Sequence, residues 1–211
     1  MTDLVARLAA RFATLRAELD ALDAVAGDGD HGSTMLRGLR AAQNAVQDAA
    51  KDAAKDAAKD GAQVGALRSA RNPALAASLG ADDPVTAFRS AAGGASGSLF
   101  AQLLGAMLAH QGGIPLPDAL SRAAARIGAI GQAKPGDRTM LDALIPASLA
   151  PDAASAAAAA AIGAQATRTM PARRGRARHV EGAGLGHVDA GARSVAEMLA
   201  VLAQGKGEGA A

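Results

Sequence analysis

The sequence predicts an all-α protein. Residues that favour helices are abundant, and alanine alone accounts for 60 of the 211 residues. No segment alternates β-branched or aromatic residues with polar ones, as a strand does. Short joints rich in Gly or Pro separate the helical segments, which is typical of antiparallel neighbours in a helical bundle or barrel.

The first helix is expected over residues 2–24, where an apolar residue recurs every three or four positions and forms one stripe. The stripe consists of Leu4, Leu8, Phe12, Leu15, Leu19 and Leu22. A second helix is expected over 34–60. Its last part, 48–60, repeats Lys-Asp-Ala-Ala without a large apolar residue and places a Lys three residues after each Asp up to Asp56, a weakly stabilising helical pair. We interpret 48–60 as a solvated helical arm. The other predicted helices are 62–79, 83–92, 96–111, 117–132, 137–150, 152–170 and 190–204.

The composition excludes several classes of function. The chain has no Cys, Trp or Tyr and only three Phe. It therefore lacks disulfides, zinc-thiolate sites, iron-sulfur clusters and a thiol nucleophile, which suits a reducing cytoplasm. The aromatic platforms that stack single-stranded nucleic acid are missing. No apolar run reaches the roughly 18 residues of a membrane span, and the N-terminus is predicted to be an amphipathic helix instead of a signal peptide. We expect a cytoplasmic protein with neither a nucleic-acid nor a membrane partner.

The sharpest local motif is the segment LDAVAGDGDHG at 22–32, in which Asp23, Asp28 and Asp30 stand within eight residues. Flanking glycines permit backbone conformations that let the carboxylates converge. Such oxygen clusters suit Mg²⁺ or Ca²⁺, but the calcium-loop pattern fails because Leu39 stands where a bidentate Glu should be. Magnesium commonly binds carboxylates together with substrate phosphates, which predicts a nucleotide nearby. The alternative is that these aspartates only cap a turn.

A Gly/Ser run, GGASGS at 93–98, opens a predicted helix. Amides at a helix N-terminus bind phosphate, although such a run is also an ordinary joint and cap. The chain contains neither a GxxxxGK[ST] sequence nor a GxGxxG after a strand, so a nucleotide site here is neither a P-loop nor a Rossmann site.

Two later segments are also of interest. In KPGDRTMLD at 134–142, Asp137 is expected to be a helix N-cap, and Met140, Leu141 and Leu144 to be core residues. The segment 171–191 is expected to be a long loop. An arginine cluster in and before it could bind phosphate, or belong to a solvated loop or a non-specific nucleic-acid patch. Its members are Arg168, Arg173, Arg174, Arg176 and Arg178.

Four ordered motifs, LDAVAGDGDHG, GGASGSLF, GQAKPGDRTMLDAL and GRARHVEGAGLGHVDAG, resemble those of the DhaL family, the nucleotide-binding subunit of dihydroxyacetone kinase. The resemblance covers about residues 15 to 200. It implies a closed barrel of eight antiparallel helices with the nucleotide at one end, here as one domain over 1–204 with a frayed tail over 205–211. Asp189-Ala190-Gly191 stands where the family usually has Asp-Pro-Gly.

The resemblance also implies site residues. Asp23, Asp28 and Asp30 would hold magnesium, as two ions, beside ADP or ATP. The implied nucleotide-binding residues are His31, Gly32, Ser33, Thr34, Ala95, Ser96, Gly131, Met140, Arg176, Asp189 and Ala190. No residue is expected to act as nucleophile or base, because phosphoryl transfer needs mainly alignment and charge neutralisation.

The activity implied by the resemblance is phosphoryl transfer to dihydroxyacetone held on a separate kinase subunit, with bound ADP recharged by a phosphohistidine carrier protein of the phosphoenolpyruvate phosphotransferase system. The alternatives are the nucleotide subunit of an ATP-dependent triose or tetrose kinase, a non-catalytic nucleotide-sensing regulator, and a plain helical scaffold. The sequence leaves open whether the chain forms a homodimer.

Overall fold

A computed structural model describes residues 2–60, 83–175, 178, 182 and 184–205. Within these residues the chain forms eight α-helices, one short 3₁₀ turn and no strand, which confirms the all-α prediction. The helices are α1 (Thr2–Ala24), α2 (His31–Asp60), α3 (Pro84–Ala92), α4 (Gly94–Gln111), α5 (Leu116–Gly131), α6 (Leu141–Ser148), α7 (Ala153–Ala166) and α8 (Ala190–Gln204), and the 3₁₀ turn is Thr167–Thr169.

The helices close into a ring. Each packs against the next along the chain, and α8 packs back against α1. The ends are also tied by polar contacts: Arg11 forms an ion pair with Glu197 at 2.8 Å, and Arg193 forms one with Glu18 at 3.1 Å. The closed helical barrel implied by the family resemblance is therefore confirmed. No helix in the described part of the chain is long and apolar enough to cross a membrane.

The core combines a few large side chains with many small ones. Five members of the predicted α1 stripe are buried, while Leu22, nearest the end of the helix, stays half-buried. On α7 the buried face consists of alanines at helical spacing together with Gly163, and α7 packs on both α6 and α8. Small side chains let neighbouring helices approach closely, so the alanine content is partly a packing feature. The buried α7 alanines are Ala153, Ala156, Ala160 and Ala164.

Helix α2 begins three residues earlier than expected, at His31 instead of Thr34. The reason lies on α1, where the Asp20 carboxylate accepts hydrogen bonds from the Ser33 amide and hydroxyl, each at 2.8 Å, and so stabilises the first turn. Helix α2 continues to Asp60, and residues 48–55 are exposed. The predicted pairing of an Asp with the Lys three residues later is present as the Lys51–Asp48 and Lys55–Asp52 ion pairs. The predicted helix over 62–79 lies outside the described residues.

The prediction that Asp137 caps a helix is wrong. Helix α6 begins only at Leu141, and 137–140 form a turn before it. This turn is held by Asp142, whose carboxylate accepts hydrogen bonds from the Gly136 amide at 2.5 Å and the Thr139 amide at 2.8 Å. The Asp137 side chain is buried and accepts hydrogen bonds from the Lys134 amide and the Arg174 guanidinium. The sequence shows a capping residue type but not which of two nearby aspartates holds the turn.

Candidate functional site

A cavity of about 560 Å³ lies among four segments that are distant in the chain. Its walls come from the α1–α2 turn, the start of α4, the turn before α6 and the start of α8. This volume is within the usual range of small-molecule sites. Its apolar wall is formed by Leu99, Phe100, Ile127 and Leu141.

One side of the cavity is acidic. Asp23 lies at the end of α1, and Asp28 and Asp30 lie on the turn that follows; one carboxylate oxygen from each lies within 4.8 Å of the others. The Gly29 and Asp30 amides donate hydrogen bonds to Asp23 Oδ2 at 2.9 and 3.2 Å, which orients this carboxylate. Three convergent carboxylates form a donor set that fits a hard divalent cation.

His31 lies beside the acidic cluster and lines the cavity. Its Nε2 is 2.9 Å from the buried Ser194 hydroxyl of α8, and its ring is tilted against Phe100 at a centroid distance of 5.5 Å. Burial lowers the pKa of His31, although the carboxylates of Asp23 and Asp20 act in the opposite direction. At neutral pH the imidazole is therefore mainly uncharged.

The three residues after His31, which the resemblance implies bind the nucleotide, occupy different places. Thr34 lines the cavity, whereas Gly32 and Ser33 are not among its lining residues. Ser33 is bonded to Asp20, and Gly32 lies against the Arg16 backbone, where a Cβ atom would overlap the carbonyl group. The structure thus gives Gly32 and Ser33 a role in joining α1 to α2.

The start of α4 forms another wall, which contains Ala95 and Ser96. The helix begins at Gly94, before the expected residue 96, and its first intrahelical bond runs from the Gly97 amide to the Gly93 carbonyl at 2.8 Å. Helix geometry leaves the amides that precede this bond without an intrahelical acceptor. Such amides favour an anion.

Gly131, Met140, Asp189 and Ala190, which the resemblance implies bind the nucleotide, also line the cavity, whereas Arg176 lies outside the described residues. Met140 is buried at the cavity wall, and the expected core positions Leu141 and Leu144 are buried as well.

Asp189 caps α8 by accepting a hydrogen bond from the Ala192 amide at 2.8 Å. Burial raises the pKa of its carboxyl to about 6, against the opposing effects of that amide and of Arg138. Ala190 begins the helix, at the first helical position where proline is also well tolerated.

Of this arginine cluster, Arg168, Arg173 and Arg174 have different surroundings. Arg174 lines the cavity, Arg168 donates a hydrogen bond to the Gly186 carbonyl at 3.0 Å, and Arg173 is exposed.

Sequence reasoning missed Arg37, Arg138 and Thr139, which line the cavity. Arg37 donates hydrogen bonds to the Ala91 and Ala92 carbonyls at the end of α3, at 2.7 and 3.0 Å. Arg37 stands one helical turn after Thr34, so its spacing from that predicted site residue could have indicated that it faces the cavity. Arg138 and Thr139 stand inside a quoted motif, but only the fold shows that they face the site.

Comparison with known proteins identifies the family. A model described as the DAK2 domain matches residues 75–204. The L-erythrulose 1-kinase of Mycolicibacterium smegmatis is 35% identical over 208 residues, which cover 89% of this chain and 32% of that protein. The triokinase/FMN cyclase of Rattus norvegicus is 30% identical over 218 residues, or 96% of this chain and 34% of that protein. The chain thus spans about a third of the length of these relatives.

Two further similarities agree with this result. The ADP-binding subunit DhaL of the PEP-dependent dihydroxyacetone kinase of Escherichia coli is 40% identical over 87 residues, which cover 35% of this chain and 40% of that protein. The crystal structure of the dihydroxyacetone kinase from C. freundii in complex with AMP-PNP and Mg²⁺ superposes with a TM-score of 0.65 at 27% identity, covering 97% of this chain and 33% of that chain. The chain therefore belongs to the DAK2 domain family, the DhaL-type domain that its four ordered motifs resemble.

Proposed function

We propose that the chain is the nucleotide-binding part of a kinase that phosphorylates a small ketose, with ADP or ATP and Mg²⁺ bound in the cavity. The single observation that carries this proposal is the convergence of the Asp23, Asp28 and Asp30 carboxylates in the same cavity as the amides that begin α4. Cation ligands and phosphate-binding amides at one site suit a metal-bound polyphosphate.

In this proposal Asp23, Asp28 and Asp30 hold magnesium, as two ions. The metal supplies neutralisation of the phosphate charge. His31 and Thr34 contact phosphate from one side, and the amides of Ala95 and Ser96 contact it from another. The nucleoside lies against the apolar wall. Gly131, Met140, Arg176, Asp189 and Ala190 complete the nucleotide site, while Gly32 and Ser33 contribute by holding the start of α2 beside the phosphates.

The chain's own residues bind and orient, and none needs to become covalently modified. The ketose hydroxyl oxygen bonds to the terminal phosphorus as the bond from that phosphorus to the nucleoside diphosphate breaks, and the hydroxyl proton passes to water. The reaction therefore depends on alignment and charge compensation. The ketose is held by another domain or subunit of the kind found in dihydroxyacetone kinases. Dihydroxyacetone and erythrulose are the two candidate acceptors, taken from the names of the relatives.

The phosphate source distinguishes two forms of the proposal. Exchangeable ATP is favoured by the erythrulose kinase and triokinase relatives, which match nine-tenths of the chain or close to it. Recharging of bound ADP by a phosphohistidine carrier is favoured by the DhaL match over 87 residues. The test combines the chain with its sugar-binding partner, ketose, and either ATP or phosphoenolpyruvate with carrier proteins. Sustained turnover with ATP alone would exclude the carrier form.

Nucleotide binding is tested first, by the thermal shift that Mg·ADP produces. A ligand present at 100 times its Kd should stabilise the native state by about 2.7 kcal/mol. Asp28→Asn should abolish this shift while leaving the ligand-free melting temperature nearly unchanged, because Asp28 is exposed. Asp118→Asn is the matched control, since Asp118 is an exposed carboxylate that does not line the cavity. A full Mg·ADP shift in the Asp28 variant would contradict the metal assignment.

A further inference from the structure

The His31 ring is held from two sides at the cavity wall. It is tilted against Phe100 of α4 at a centroid distance of 5.5 Å, and its Nε2 is 2.9 Å from the Ser194 hydroxyl of α8. His31 is 7% exposed and Ser194 is fully buried, so this hydrogen bond is shielded from water. Three helices that are distant in the chain therefore determine where the ring lies.

The second ring nitrogen, Nδ1, is accessible. It makes no hydrogen bond to any residue that the structure describes. It is not enclosed either, because the one buried side-chain nitrogen or oxygen without a hydrogen-bond partner among the described residues is Arg138 Nε. Since His31 lines the cavity, Nδ1 is available to a ligand there.

The contact with Phe100 alone does not decide which edge of the imidazole meets a ligand. A half-turn about the Cβ–Cγ bond keeps the plane and the centroid of the ring nearly in place but exchanges Nδ1 with Cδ2 and Nε2 with Cε1. The apolar contact is therefore almost the same in both orientations. The Ser194 hydroxyl distinguishes them, because it bonds a nitrogen in one orientation and would meet a C–H group in the other.

A hydroxyl partner also suits the proton that Nδ1 needs in order to bind phosphate. A phosphate oxygen accepts hydrogen bonds, so Nδ1 has to donate. The hydroxyl at Nε2 can either donate or accept, and it therefore allows Nδ1 to carry its proton. A carbonyl group in the place of the Ser194 hydroxyl could only accept, and it would hold the proton of an uncharged ring on Nε2.

Building on the function proposed above, we propose that Ser194 is a positioning residue that directs Nδ1 of His31 at a phosphate oxygen of the bound nucleotide. Ser194 acts through the ring, since it is not one of the described residues that line the cavity. Its hydroxyl fixes Nε2, Phe100 fixes the ring plane, and the Nδ1–H group donates to the phosphate. Phosphate binding at the start of α2 thereby depends on a side chain of the last helix.

Substitutions at this contact, and a control away from it, provide the test. Ser194→Ala removes only the hydroxyl, and Ser194→Cys keeps a group of similar size that is a weaker donor and acceptor. Ser148→Ala is the matched control, because Ser148 is also a buried helical serine, 6% exposed, but donates to the Ile145 carbonyl of its own helix at 2.8 Å. His31→Leu removes both ring nitrogens and keeps an apolar side chain of similar size.

The readouts are the Kd of Mg·ADP by calorimetry and the ¹⁵N NMR signals of the imidazole nitrogens, with those of His31 assigned by their absence in His31→Leu. In the wild type and in Ser148→Ala, Mg·ADP should give one exchange-protected Nδ1–H signal from His31. In Ser194→Ala this signal should be lost or averaged between two ring states, and Kd should rise about five- to tenfold, the effect of one misplaced hydrogen bond. Ser194→Cys should lie between the wild type and Ser194→Ala.

The outcomes separate the two proposals. If the wild type does not bind Mg·ADP, the proposed nucleotide function fails and the role of Ser194 fails with it. If the wild type binds, but Ser194→Ala keeps both the wild-type Kd and the protected Nδ1–H signal, the nucleotide function stands and the positioning role is overturned.

A double variant separates positioning from packing. Because Ser194 acts through His31, Ser194→Ala should raise the Kd of Mg·ADP no further once His31→Leu is present. An equal rise of Kd in both backgrounds would overturn the positioning role, as would an equal rise in Ser148→Ala. Either result would mean that the Ser194 hydroxyl serves packing alone.

Discussion

Two corners of the cavity are built in opposite ways. The acidic corner, residues 23–34, is one continuous segment in which local hydrogen bonds such as Gly29 amide to Asp23 orient the carboxylates. The arginine corner consists of residues 137–140 and 184–190, and its Arg138–Gly184 bond joins residues 46 positions apart. A site made within one turn can be recognised in the sequence, whereas a site made by two distant segments can be recognised only in the folded chain.

The arginine corner itself contains two carboxyl groups that behave in opposite ways. Burial alone would raise the pKa of Asp137, but the Lys134 amide and the Arg174 guanidinium outweigh it, and the pKa lies below its ordinary value. Burial of Asp189 is not offset in this way, and its pKa is raised to about 6. The arginine corner therefore contains one carboxyl that stabilises the fold when ionised and one that destabilises it when ionised.

The largest effect is expected from Asp137→Ala. The change removes an acceptor that is 2% exposed and leaves the Lys134 amide and Arg174 without it, so we expect a loss of about 2–3 kcal/mol in the free energy of unfolding. Urea denaturation measures this. Asp83→Ala, which removes the half-buried N-cap of α3, is the control and should cost about 1 kcal/mol. Equal costs would mean that Asp137 is merely a turn residue.

The second effect concerns pH. Asp189→Asn keeps a capping side chain but removes the ionisable group, so the variant should be more stable than the ligand-free wild type at pH 7 by about 2 kcal/mol. The sign follows from the raised pKa. The destabilising contribution of the Asp189 carboxyl to the wild type is absent below about pH 4 and develops as pH rises through about 6.

Asp137→Asn is the comparison for this pH prediction, because the pKa of Asp137 is lowered whereas that of Asp189 is raised. Its deficit relative to the wild type should be largest at neutral pH and should shrink as the solution is acidified below the ordinary carboxyl pKa. Unfolding measured from about pH 2 to 8 covers both windows and gives both curves. Parallel curves for the two variants would contradict the difference between the two carboxyls.

The smallest effect is expected next to the acidic corner, at Asp20, which is bonded to Ser33. Asp20→Ala removes the acceptor of the Ser33 amide and hydroxyl and should lower stability by about 1 kcal/mol. Since Asp20 does not line the cavity, the Kd of Mg·ADP should change by no more than about threefold, a free-energy change well below that of one lost charge-assisted contact. Asp28→Asn should instead weaken Mg·ADP binding strongly and leave the stability of the fold nearly unchanged. A loss of binding in the Asp20 variant as large as that in the Asp28 variant would extend the metal site to Asp20.

Much of the fold was predictable because its signals are local. The spacing of apolar residues predicts α1, and the four ordered motifs predict the closed ring of helices. The sequence does not show that Asp20 caps α2 from another helix, and this contact moves the helix start from Thr34 to His31. The error at Asp137 has the same origin, since its partner Arg174 is 37 positions away. Within the site, the Asp cluster was predictable from its spacing, but the roles of Arg37, Arg138 and Ser194 depend on contacts between distant segments.

Closure of the ring by α8 has a consequence for when the site becomes complete. His31 begins α2, but its hydroxyl partner Ser194 stands 163 positions later in the chain, in α8, and the cavity residue Asp189 caps that helix. During synthesis the carboxylates emerge well before the wall that faces them. A ribosome-bound chain that still lacks α8 therefore has the three carboxylates without a finished cavity, so the proposed nucleotide binding requires that the two ends of the ring have met.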